Sequence, residues 1–143
     1  MRFMIIVKAT ADTEAGVMPG PEVFEAMGRF NEELVNAGVL LAAEGLHPSR
    51  EGARVTSQGG KLTVKDGPFA ETKELIAGFW LIQVKSREDA IASMQRAPFG
   101  GGVELEIRQV FEPEDFAPSD PTGELRAAEE RLRAQAAERT RGR

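Results

Sequence analysis

A single imidazole and one dense polar run are the places where this chain could do chemistry. His47 follows Glu44-Gly45-Leu46 and precedes Pro48, so it stands where an apolar strand gives way to a turn. A free imidazole titrates near pH ~6.5 and can give or take a proton at neutral pH. A carboxylate beside it, Asp66 or Glu44, would orient the ring and raise its basicity, a common pairing for general acid–base work. His47 also has a plain reading, a loop imidazole hydrogen-bonded to backbone. Asp66 opens the turn Asp66-Gly67-Pro68. An Asp there often accepts a backbone hydrogen bond from two residues on, with no catalytic content. Gly67 is expected to supply a positive φ and Pro68 to end the strand, while Phe69 packs rather than binds. Glu71, Thr72, Lys73 and Glu74 then offer two carboxylates, a hydroxyl and an ammonium within four positions. Such a set can hold a small polar or anionic ligand with Lys73 as its charge partner, or it can be ordinary surface ion pairing. Lys8, ending the first strand, faces the same cleft if that strand lies beside the central one. The expected site therefore has His47 and Asp66 as proton-transfer groups and Lys8, Glu44, Glu71, Thr72 and Lys73 as ligand contacts.

Other chemistries are poorly served. The chain has no cysteine, which removes disulfides, thiolate metal sites and cysteine nucleophiles. One His cannot build a multi-histidine zinc site in a single chain, so neither metal nor cofactor is expected. A Mg or Mn site shared across a dimer by His47, Asp66 and Glu71 ranks last among the alternatives. Neither a nucleophile elbow, a P-loop nor a dinucleotide fingerprint occurs. Gly100-Gly101-Gly102 leads into a strand and is a loop. A net charge of -5 argues against direct nucleic-acid binding, which needs clustered Lys and Arg. No apolar run approaches the ~20 residues that span a bilayer. Phe3 to Val7 lacks a small-residue cleavage site and reads as a strand, so a cytoplasmic location is expected.

The elements that must position these groups follow from periodicity. At 143 residues, with 41% hydrophobic and 29% charged, the chain suits one globular domain with a real core. Phe3 to Lys8 is the first strand, and Ala9 to Pro21 a long loop rich in Gly, Pro, Asp and Thr. Phe24, Met27, Phe30 or Asn31, Leu34 and Val35 recur at helical spacing and predict a helix over 22–37, stopped by Gly38. Strands are predicted over 39–46, 53–57 and 61–65, the last two as a hairpin with Gln58-Gly59-Gly60 at its tip. In the last of these, Leu62 and Val64 alternate with polar residues as in a half-buried strand. Phe79 to Val84, nearly all apolar and holding the only Trp, predicts a central strand, which would pack Asp66 to Glu74 between two core strands. Ser86 caps a helix over 87–96, and Val103, Leu105 and Ile107 alternate in a final strand. Ala117 to Gly123 has linker chemistry, and 124–141 is dense in Glu, Arg and Ala with an apolar stripe too thin to fold alone. The expected division is a domain over 1–116 and a linker with a charged helical tail over 117–143.

Without the hairpin, the order strand, helix, strand, strand, helix, strand is that of a ferredoxin-like α+β sandwich. Two helices cover one sheet face, so the other is expected to pair with a second copy in a homodimer. Asp66-Gly67-Pro68-Phe69 followed by Ala70-Glu71-Thr72-Lys73-Glu74 resembles the signature of the DGPF proteins of the YCII-related family. The resemblance extends upstream through Phe30-Asn31-Glu32-Glu33-Leu34 and Glu44-Gly45-Leu46-His47-Pro48, and downstream through Gly78-Phe79-Trp80-Leu81-Ile82 and Pro113-Glu114-Asp115-Phe116. It implies a ferredoxin-like fold paired as a dimeric α+β barrel. The His and Asp suspected of activity in the YciI branch fall at Met27 and Asn36 here, so that pair does not carry over. The function expected is binding of a small polar molecule near the Asp66–Phe69 turn, with possible acid–base catalysis. The alternative is a non-catalytic regulatory or interaction protein linked to sigma-factor-dependent transcription, an association known for some family members.

Overall fold

The computed structural model describes residues 1–142, and the chain forms two compact units, Met1–Val110 and Phe111–Arg143. In the first, strands β1 (Arg2–Lys8), β2 (Leu40–Gly45), β5 (Ile76–Gln83) and β6 (Leu105–Gln109) make one sheet in the order β2-β5-β1-β6. Every neighbouring pair in it is antiparallel. With helices α2 (Pro21–Asn36) and α3 (Arg87–Met94) as the crossovers, this matches the βαββαβ arrangement of a ferredoxin-like α+β sandwich.

Alternation along the two central strands decides which face is covered. Ile5 lies opposite Trp80 and Phe3 opposite Ile82. These four form the core with Phe30 and Leu34 of α2 and Ala90 and Met94 of α3. Burying each large side chain contributes about 1.5–3 kcal/mol. The intervening residues Met4, Ile6, Phe79 and Leu81 point to the opposite face, where they are half-buried and meet neither α2 nor α3. The first strand is thus fully buried on one face only, at Phe3 and Ile5.

Helix α2 starts with Pro21 at its first turn and ends before Gly38, whose φ of +71° closes the C-terminus as a left-handed residue. Ser86 Oγ accepts from the Asp89 N–H at 3.1 Å and caps α3. The connection from β1 to α2, expected as loop throughout, contains the short helix α1 (Ala11–Glu14). Its reason is local. Thr10 and Thr13 form a reciprocal cap, Thr10 N–H to Thr13 Oγ1 at 2.7 Å and Thr13 N–H to Thr10 Oγ1 at 3.2 Å.

Strands β3 (Ala53–Gln58) and β4 (Lys61–Asp66) form a separate two-stranded ribbon. Gly59 and Gly60 have φ of +58° and +80°, the backbone that a two-residue hairpin turn demands. The half-buried strand expected from Leu62 and Val64 is not found. Leu62 is 71% exposed and Val64 67%, because the ribbon has no second layer beneath it. Asp66 to Glu74 accordingly runs from an exposed ribbon to the sheet, not between two core strands.

In the second unit, a 3₁₀ segment (Pro113–Ser119) precedes helix α4 (Glu124–Arg141). Phe111 and Phe116 meet with their rings tilted by 48° and centroids 5.1 Å apart. Asp120 is the organising residue. Its carboxylate accepts from the N–H groups of Leu125 and Arg126 at 3.2 and 2.9 Å, and from Arg126 Nε at 3.1 Å. The Arg126 backbone hydrogen bond, aided by that of Leu125 and the Arg126 guanidinium, holds the Asp120 carboxyl below its ordinary value against the cost of burial. Leu125 and Leu132 of α4 are 69% and 58% exposed, in keeping with a thin stripe. No described helix is long and apolar enough to cross a membrane.

Candidate ligand-binding cleft

A cleft of about 500 Å³ opens between one end of the four-stranded sheet and α2. Its apolar wall comes from Val7, Met27, Ala43, Trp80 and Phe99, on the helix-covered side of the sheet. Trp80 is central to it. The indole meets Phe30 and Phe99 edge-on, at centroid separations of 5.7 and 5.8 Å. Its Nε1–H donates to Asn31 Oδ1 at 2.8 Å. An indole N–H is donor only, so the Asn31 oxygen must face Trp80 and the amide NH₂ must point elsewhere. That NH₂ has no protein acceptor among the described residues.

The rim is built by two segments, Gly16-Val17-Met18-Pro19 and Leu46-His47-Pro48. Val17 and Met18 are 56% and 81% exposed. A chain of hydrogen bonds fixes where both segments start. The Glu14 carboxylate accepts from Ser49 N–H at 3.0 Å and from Ser49 Oγ–H at 2.6 Å. The same Ser49 Oγ accepts from Phe69 N–H at 3.1 Å. Arg50 adds a bond from Nη1 to the Glu14 carbonyl at 3.1 Å. Glu14 and Ser49 therefore tie α1, the turn after His47 and the Asp66–Phe69 turn into one assembly.

The Asp66–Phe69 turn docks without any hydrogen bond from the Asp66 side chain. Gly67 N–H bonds the Gly52 carbonyl at 2.9 Å. Gly67 does not have the positive φ expected of it. Its requirement is space, since a Cβ there would lie 1.7 Å from the Ser49 carbonyl oxygen. The Arg54 guanidinium lies 3.9 Å over the Phe69 ring. Phe69, Arg54, Glu14, Ser49 and His47 border a shallower hollow of about 250 Å³ beside the main cleft.

The expected site residues are spread over several places. His47 lies on the rim of both cavities. Its Nδ1 is 3.2 Å from Glu51 Oε2, and its side chain is 84% exposed. Glu51, and neither Asp66 nor Glu44, is its carboxylate neighbour. Glu44 lines the main cleft, but it sits opposite Phe79 in the ladder, so alternation directs its side chain to the other sheet face. Asp66 pairs with Ala53 at the end of the ribbon and borders neither cavity. Glu71, Thr72 and Lys73 also border neither, although Glu74, the last residue of their 3₁₀ turn, borders the shallower hollow. Lys8 is on the sheet face opposite α2 and α3, 3.5 Å from Glu106. The Glu106 carboxyl is held low by its Arg108 hydrogen bond and then by the Lys8 charge. The structure thus brings His47 and Glu44 to one cleft and leaves Asp66, Glu71, Thr72, Lys73 and Lys8 apart from it. Among the described residues no three carboxylate or imidazole groups converge as a metal site would require.

The residues missed are Asn31, Met27, Glu14 and Ser49, with Trp80 taken as core alone. Asn31 carried a signal, a polar residue on the apolar stripe of its helix. Ser49 and Glu14 carried none, because their pairing spans 35 positions.

The profile of the YCII-related domain matches residues 1–114. The chain belongs to the YCII-related family. An uncharacterised protein of Rhizobium meliloti (strain 1021) is 36% identical over 69 residues, a match covering 48% of this chain. The aligned part spans 56% of that relative's length. Within this YCII-related chain, Met27, the position at which the resemblance puts the YciI-branch histidine, presents a thioether to the cleft, and Asn36 is the last residue of α2.

Proposed function

We propose that this YCII-related protein binds a small molecule in the cleft walled by Trp80, with His47 at the rim exchanging a proton with it. The observation that carries this reading is the cleft itself. It is concave, mostly apolar, of ligand size, and furnished with an unused amide donor at Asn31. The His47 ring has one nitrogen directed to Glu51 and the other without a protein partner, which suits proton transfer to a bound molecule. A metabolite screen by thermal shift tests it. A true ligand at about 100 times its Kd raises stability by about 2.7 kcal/mol. Hits should lose their shift when Ala43→Leu narrows the cleft, and keep it in Asp66→Ala. Turnover of a hit should fall in His47→Ala with binding retained. Hits that survive Ala43→Leu but vanish in Asp66→Ala would move the site to the ribbon.

We also propose that two copies pair through the open sheet face to form an α+β barrel. Met4, Ile6, Phe79 and Leu81 form an apolar strip there, and nothing from α2 or α3 reaches it. Light scattering should give twice the chain mass, falling to one copy in Leu81→Arg. A single-copy mass for the unaltered protein at all workable concentrations would exclude the barrel.

A further inference from the structure

We infer that the cleft takes a neutral, ring-containing molecule bearing a hydrogen-bond acceptor such as a carbonyl, and not the anion that the polar run suggested. The inference rests on the cleft being the binding site, and it concerns what kind of molecule enters. No Lys or Arg lines the cleft. Its one lining carboxylate, Glu44, projects to the other face of the sheet. A bound carboxylate or phosphate would leave water without a fixed positive charge to replace it, which is strongly unfavourable. His47 does not supply that charge at depth, since it is 84% exposed and already beside the Glu51 carboxylate. The Thr13 hydroxyl, on the same wall, is committed to the Thr10 carbonyl at 3.0 Å.

What remains for recognition in the depth of the cleft is the Asn31 donor and several flat or polarisable surfaces. The Asn31 NH₂ is oriented by the bond from Trp80 to its oxygen, so its direction is fixed before any ligand arrives. Trp80 and Phe99 offer aromatic surface, and Met27 and Met18 offer thioethers that favour ring contacts. A planar ring against Trp80 with its acceptor on Asn31 uses both the aromatic surface and the oriented amide donor.

The lone Trp gives one indole ¹H–¹⁵N resonance, which reports on the cleft wall directly. Three probes of similar shape separate the possibilities: 2-acetylnaphthalene, 2-isopropylnaphthalene and 2-naphthoate. The acetyl compound should bind about three- to tenfold more tightly than the hydrocarbon, the worth of one neutral hydrogen bond. Naphthoate should bind more weakly than both. Asn31→Asp keeps an acceptor for the Trp80 N–H and removes the donor. It should erase the advantage of the acetyl compound while leaving hydrocarbon binding nearly unchanged. Tighter binding of naphthoate, or an equal loss of both neutral probes in Asn31→Asp, would overturn the inferred ligand class while the cleft stands. If no probe shifts the indole resonance, the cleft reading fails and this inference with it.

Discussion

The backbone of Gly67 passes so near Ser49 that a Cβ at position 67 would stand 1.7 Å from the Ser49 carbonyl oxygen. That oxygen belongs to backbone and cannot rotate away. Gly67→Ala must therefore separate the Asp66–Phe69 turn from the segment after His47. Overpacking of this kind costs about 1–3 kcal/mol. Urea unfolding should show a lower midpoint, with the His47 rim displaced in the refolded variant. An unchanged midpoint would mean that the turn docks elsewhere in solution.

Ser49→Ala examines the same junction through its hydrogen bonds. The hydroxyl both donates to Glu14 and accepts from Phe69, so its removal strands a part-buried N–H and half of a carboxylate. A loss of about 1–3 kcal/mol is expected. Amide exchange at Phe69 should accelerate well beyond that of the central strands. Equal acceleration everywhere would point to global destabilisation instead.

Asn31→Leu leaves the Trp80 N–H without an acceptor in a part-buried wall. The expected cost is about 1–3 kcal/mol. Asn31→Asp retains the acceptor and should cost less. The indole N–H resonance should move upfield in the Leu variant only.

Asp120 gives the second unit a pH dependence whose sign is fixed. Its carboxyl titrates lower in the folded chain than in the unfolded one, chiefly through the Arg126 backbone bond. Its contribution is complete above the ordinary Asp value near ~3.9 and fades as pH falls through the lower folded value. Exchange protection at Leu125 and Arg126 should therefore drop on acidification in that window. Asp120→Asn should lower protection at neutral pH and flatten the dependence. A profile identical to the unaltered chain would remove Asp120 as the organiser of the α4 start.

Much of the framework was legible because it rests on short-range patterns. Nearly continuous apolar runs in Phe3–Lys8 and Phe79–Val84 located the central strands, and Gly38, Ser86 and Gly59-Gly60 marked ends and a turn through local backbone chemistry. Leu62 and Val64 misled because alternation reveals a strand with two unlike faces but not whether anything covers one. Asp66 attracted attention for its chemistry, yet in that motif Gly67 is the residue that the close approach demands. The cleft was hidden for a different reason. Asn31 and Trp80 lie 49 positions apart, and Glu14 and Ser49 35 apart, so only the folded chain brings these pairs together.

The central claim is that a small molecule sits against Trp80 inside the cleft, and methyl-labelled methionines test it most directly. Met18 and Met27 line the cleft, Met4 lies on the sheet face opposite the helices, and Met94 is in the core. On titration with a hit from the metabolite screen, the Met18 and Met27 methyl signals should move together with the Trp80 indole, while Met4 and Met94 stay in place. A shift confined to Met4, or saturable binding that leaves Met27 and Trp80 untouched, would contradict the account.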